Sequence, residues 1–135
     1  MITEDYVSFE TAKLLKEKGF DGPCFRYAES KEIYESGNWT VSNVTGGGIG
    51  VPTLQMAWKW LVEEHGIVIC PDICSQDPET GKVEKWVFNY WHNGNYYNPC
   101  FEKENMFYGP LYGKHWATPE EMLNEAIVFC LDKWV

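Results

Sequence analysis

Cys100, His92 and His115 are the side chains from which this chain could assemble a nucleophilic site. A cysteine hydrolase needs a thiolate beside an imidazole, with a third group orienting the ring. Cys100 follows Asn98-Pro99 rather than opening a helix that would lower its pKa, and no nucleophile signature surrounds it. The three residues are therefore catalytic candidates by type alone, and the chain reads more readily as a non-enzyme. Cys70 and Cys74 add soft metal ligands. Zinc ligands come in close pairs such as Cys-x2-Cys, because a tight turn presents both to one ion. An extended Cys70-Pro71-Asp72-Ile73-Cys74 would hold the sulfurs roughly 13 Å apart, at about 3.3 Å per residue. No metal and no cofactor are expected. Cys24 and Cys130 read as small buried hydrophobes, His65 as a core-edge residue, and the glutamate pairs as solvated faces or caps.

Thr45-Gly46-Gly47-Gly48-Ile49-Gly50 is the other segment whose residue types suggest chemistry. A glycine-rich turn feeding a helix can bind phosphate through bare N–H groups and the helix dipole. The Gly-Lys-Ser/Thr ending of a P-loop is missing, as is the glycine spacing of a dinucleotide fingerprint. Pro52 also removes a donor that such a site would use. Segment 46–50 therefore reads first as a connector, with nucleotide or phosphate binding as the alternative.

The elements that must position these residues carry their own punctuation. Ser8 caps a first helix over residues 9 to 18, and Gly19 supplies a left-handed closing position that brings Leu15 and Phe20 together. A second helix should start near Thr53 and stop at Gly66. Its buried stripe is Leu54, Ala57, Trp58, Leu61, Val62 and His65. Thr118-Pro119-Glu120-Glu121 opens the third with a cap, proline at the first helical position and a capping-box glutamate. Leu123, Ala126, Ile127, Cys130 and Trp134 form its stripe.

Between helices the pattern turns to strands. Ile67 to Cys70 is β-branched, and Pro71 either ends that strand or puts it at an edge. Asp77-Pro78 and Thr80-Gly81 mark a turn. Lys85 to His92 and Tyr96 to Phe101 flank Asn93-Gly94, a strong hairpin signal. Cys24 to Ala28, Ile33 to Glu35 and Trp39 to Val44 are further strand candidates, and 102 to 117 reads as a long loop. Consecutive antiparallel strands without regular helix alternation give an α+β fold, a small antiparallel sheet packed against three helices, in a single globular domain over 1–135.

Composition narrows the function classes. At 44% hydrophobic and 16% aromatic, the chain is not a disordered tail. No apolar run approaches the roughly 20 residues of a membrane span, and Met1-Ile2-Thr3-Glu4-Asp5 does not begin a signal peptide. With a formal charge of −9, a nucleic-acid partner is not expected. The odd count of 5 cysteines, without a secretory context, suggests free thiols in a cytoplasm.

The 7 Trp, 8 Tyr and 7 Phe exceed what a core of this size requires. In the Asn93-Gly94 hairpin, His92 should face Asn95, Trp91 face Tyr96 and Tyr90 face Tyr97, with pairing stopping at Asn98 or passing a bulge at Pro99. Alternation then places Trp86, Phe88, Tyr90, Tyr97 and Phe101 towards the core. Lys85, Asn89, Asn98 and Glu102 fall on a solvent face that also carries Trp91 and Tyr96 near the tip. Exposed Trp and Tyr are enriched in interface hot spots, so Trp91 and Tyr96 are the candidate binding residues.

Several stretches resemble a group of small uncharacterised proteins from gut Bacteroidetes and their phages or integrated elements. They are Val7-Ser8-Phe9-Glu10 with Ala12, Lys16-Glu17-Lys18-Gly19-Phe20, Pro23-Cys24-Phe25, and Pro52-Thr53-Leu54-Gln55-Met56-Ala57 with Lys59-Trp60-Leu61 and His65. The resemblance implies a phage or mobile-element setting and a cytoplasmic location, and assigns no activity. The sequence as a whole points to a cytoplasmic protein-interaction module whose partner is another protein.

Overall fold

The computed structural model describes residues 5–22, 24, 26–29, 32–35, 48–101, 103–104 and 107–135. They form an α+β fold with three helices, two three-stranded antiparallel sheets and a short two-stranded ribbon. The helices are α1 (Phe9–Glu17), α2 (Leu54–His65) and α3 (Pro119–Trp134). In the first sheet β1 (Arg26–Glu29) lies between β2 (Glu32–Glu35) and β3 (Ile49–Val51). In the second, β5 (Val83–His92) lies between β4 (Ile67–Gln76) and β6 (Asn95–Tyr97). The ribbon pairs β7 (Lys103–Glu104) with β8 (Phe107–Tyr108), inside the segment expected to be a loop.

The helix ends follow from local chemistry. Ser8 Oγ accepts from Thr11 N, Thr53 Oγ1 from Met56 N and Thr118 Oγ1 from Glu121 N. Each satisfies an N–H that has no partner inside its own helix. At the far end of α1, Phe20 N donates to Leu15 O and Gly19 N to Lys16 O, with Gly19 at φ 96°. That is a Schellman closure, and Leu15 and Phe20 are both buried, as the sequence pattern requires. α2 ends on Gly66 at φ 64° and passes directly into β4. The Gly66 carbonyl accepts from Asn93 N, so the close of α2 is docked on the β5–β6 turn.

One buried cluster joins all three helices to both three-stranded sheets, from Ala12 and Leu15 through Ala28 and Val51 to Leu61, Ile69, Phe88 and Ile127. α2 and α3 pack on β4, and α3 also covers β5. The stripe of α3 differs from the expected one. Met122 and Leu131 are fully buried beside Ala126, Ile127 and Cys130, while Leu123 and Trp134 are only partly covered. The helix is thus rolled so that its two outer stripe residues lie at the edge of the core.

β4 does not stop at Pro71, which pairs with Phe88 midway along a strand of 10 residues. The strand is at a sheet edge, where a missing N–H is tolerated. Three alternate positions on it each lack one of the backbone groups that a further strand would use. Ile69 O accepts from Trp58 Nε1 at 2.9 Å, Pro71 has no N–H, and Ile73 N donates to Asp72 Oδ1 at 2.8 Å. The β4–β5 turn is held by Asp77, whose carboxylate accepts from Glu79 N. That backbone donor, foremost, draws its pKa below the usual carboxylate value.

The hairpin register is Tyr90↔Tyr97, Trp91↔Tyr96 and His92↔Asn95, as expected from Asn93-Gly94. Pairing ends at Tyr97, one residue short of the expected Asn98. Pro99 cannot donate, so the chain turns away, and Trp116 takes the vacated place by exchanging both backbone bonds with Trp86. The extended register that put Phe101 in the core is therefore corrected. Phe101 is 49% exposed and Trp86 only half-buried. The Trp39 to Val44 candidate strand lies outside the described residues.

Candidate functional site

Trp91 and Tyr96 stand opposite each other across the β5–β6 ladder, where strand alternation turns them away from the helices. Their turn has Asn93 at φ 48° and Gly94 at φ 86°, the two positive values of a type I′ turn, whose twist matches that of the strands. The rings lie 5.2 Å apart at 58°, and the residues are 44% and 46% exposed. The same face carries Val68 opposite Trp91, then Cys70 opposite Asn89 and Asp72 opposite Val87. It is less open than the alternation implied. Val87 is buried, Asn89 Nδ2 reaches Asp72 Oδ2 at 3.5 Å, and the Oδ1 atoms of Asn89 and Asn98 are buried without a partner among the described residues.

The other face of the hairpin is a packed aromatic layer. Tyr90 stacks on Tyr97 at 5.0 Å and accepts a hydrogen bond from Trp134 Nε1 at 3.0 Å. His92 belongs to this side. Its ring lies 4.1 Å from that of Trp134, and its Nε2 is 3.3 Å from Asn93 Nδ2.

Cys100 is buried, and the groups acting on its thiol are the Phe88 backbone and Cys74, with no histidine among them. Burial foremost raises its pKa above the usual thiol value. The group is held protonated, the reverse of what a thiolate nucleophile needs. His115 is exposed at the far end of the loop before α3. His92, Cys100 and His115 thus each have separate surroundings. Among the described residues, no three His, Cys, Asp or Glu side chains gather as a metal site would require. All five cysteines are free thiols.

Of segment 46–50, Gly46 and Gly47 lie outside the described residues. Gly48 leads into β3, where a Cβ would come within 2.9 Å of Ala28 O, so glycine there serves a close backbone approach. Two of the N–H groups that would cradle a phosphate at the start of α2 are in use. Leu54 N donates to Asp5 O and Met56 N to Thr53 Oγ1.

One concavity has no counterpart in the sequence reading. A cleft of about 540 Å³ lies between the start of α2, β4 and the start of α3, lined by Leu54, Trp58, Ile69, Pro71 and Leu123, with Asp5 and Glu120 beside them. Its walls come from three elements far apart in the chain, so no local pattern announces it. The nearest signal is the tryptophan at 58 on a stripe otherwise built from aliphatic residues and His65.

No family model, curated protein or solved structure matches this chain. No helix among the described residues is long and apolar enough to cross a membrane.

Proposed function

We propose that this protein is a non-catalytic binding module that engages another protein through the surface around Trp91 and Tyr96, in the phage or mobile-element setting that its helix motifs suggest. The observation that supports this reading is the half-exposed aromatic pair itself. A cross-strand pair contributes only about 0.2–1 kcal/mol to folding. As anchors in a partner's pocket, Trp and Tyr each contribute about 2 kcal/mol or more. The partner is a protein with a basic rim, since the chain carries a net charge of −9 and Asp72 shares this face. The same charge disfavours nucleic acid.

The test pairs two measurements on one variant. W91A/Y96A should unfold cooperatively, close to the parent's midpoint, while its affinity for a purified partner, first isolated by affinity capture, falls by about 30-fold or more. Unchanged affinity would remove the aromatic pair from the interface. Loss of cooperative folding would return the two rings to a structural role.

A further inference from the structure

We infer that the cleft between α2, β4 and α3 is a binding site for a small organic cation, an amine carried on an apolar body. This goes beyond the aromatic surface of the β5–β6 hairpin and does not depend on it. The cleft, about 540 Å³, is within the roughly 300–1,000 Å³ usual for small-molecule sites. Leu54 and Trp58 from α2, Ile69 from β4 and Leu123 from α3 make its walls apolar on three sides. Trp58 is a fixed wall, because its indole N–H is committed to Ile69 O at 2.9 Å.

The polar lining sets the sign of the ligand. Asp5 and Glu120, both exposed, are the acidic residues of the cleft's lining, and Lys, Arg and His are absent from its described lining. An anion would meet two like charges there. Some of the backbone donors at the starts of the two helices are also engaged, with Leu54 N bonded to Asp5 O, Met56 N to Thr53 Oγ1 and Glu121 N to Thr118 Oγ1. An ammonium group is attracted by this acidic lining, and Trp58 supplies an aromatic ring of the kind that attracts cations. The apolar body of such a ligand fills the space against Ile69 and Leu123, where a small hydrated cation would gain nothing.

Three probes with one apolar body separate shape from charge: 4-phenylbutylamine, 4-phenylbutanol and 4-phenylbutyrate, each titrated into 15N-labelled protein. The amine should move the Trp58 indole resonance and the amides of Gln55, Ile69, Glu120 and Leu123 saturably. The butyrate should bind about ten-fold more weakly than the amine or worse, with the alcohol between them. In D5N/E120Q, the amine should drop to the affinity of the alcohol while the alcohol is unaffected. Both substitutions are on exposed residues, so the folded spectrum is retained. Equal affinity for amine and butyrate would overturn the inference. So would an amine preference that survives D5N/E120Q, shifts centred on Trp91 and Tyr96, or no saturable shift with any probe at millimolar concentration.

Discussion

One face of the β4–β5–β6 sheet is sealed beneath helices, and the other ends in two half-exposed aromatic rings. On the sealed side, Ile67, Ile69, Phe88 and Tyr90 are at most 2% exposed. There even the phenol of Tyr90 has a partner, the indole of Trp134. On the open side, Trp91 and Tyr96 sit in the same sheet, each next along the chain to a ring of the other face, Tyr90 and Tyr97, yet they are 44% and 46% exposed. Both faces therefore hold large rings, but only one uses them to exclude water from a core. Ring size alone does not separate a fold residue from a contact residue. The burial of its neighbours does.

The comparison breaks most sharply if the two faces are truncated in turn. Phe88→Ala, which empties a fully buried site, should cost about 3–5 kcal/mol of unfolding free energy in a urea titration followed by circular dichroism. A cost near that of Trp91→Ala would mean that the sealed face is loosely packed.

Alkaline pH probes the same division through the thiols. Burial pushes the thiol of Cys130 up to about 12, against a smaller opposing pull from Lys133, and that of Cys24 up to about 11. In the unfolded chain both titrate near about 8.5. The folded state thus holds these protons where the unfolded state has lost them. Their contribution to stability is complete below about pH 8.5 and declines as the pH rises towards 11 and 12. Urea midpoints should fall between pH 8.5 and 10, and C24A/C130A should show a shallower fall, though from a lower starting stability. An equal slope in the variant would show that the two thiols titrate normally. The exposed Cys74 gives the contrast, since a thiol reagent at pH 8 should modify it well before Cys24 or Cys130.

A smaller effect is expected where the two faces meet. Gly66 has φ 64°, and a Cβ there would run into Asn93 Oδ1 in the hairpin turn. Gly66→Ala should cost about 1–2 kcal/mol from the left-handed backbone alone. It should also shift the amide resonances of residues 92–95. A variant that kept full stability would show that α2 and the turn are not rigidly docked.

What could be read from the sequence was whatever depends on neighbours in the chain. The caps at Ser8, Thr53 and Thr118, the Gly19 closure and the hairpin register through Tyr97 each need only a few residues of context. The pair Trp91–Tyr96 followed from the same local rule. Legibility ends where the chain leaves its ladder. Alternation carried past Pro99 places Phe101 in the core, but the backbone turns there and Trp116 takes its place beside Trp86. Met122 and Leu131 are buried outside the expected stripe because how far a helix is rolled depends on what lies under it. The cleft was out of reach for the same reason, as only packing brings Trp58, Pro71 and Leu123 together.

The closed edge of β4 bears on how copies of this chain behave when crowded. A strand of 10 residues at a sheet boundary can seed cross-β polymerisation, because each added copy offers the next a fresh row of hydrogen-bonding groups. Here Trp58 occupies one carbonyl, Asp72 occupies one amide, and Pro71 between them offers no N–H. An incoming strand would not find a complete row of donors and acceptors at these three alternate positions. Pro71 therefore interrupts the row of edge donors at a place where the pairing of β4 with β5 does not require its N–H. The half-exposed pair Trp91 and Tyr96 thus lies in a sheet whose β4 margin is an interrupted template for strand addition.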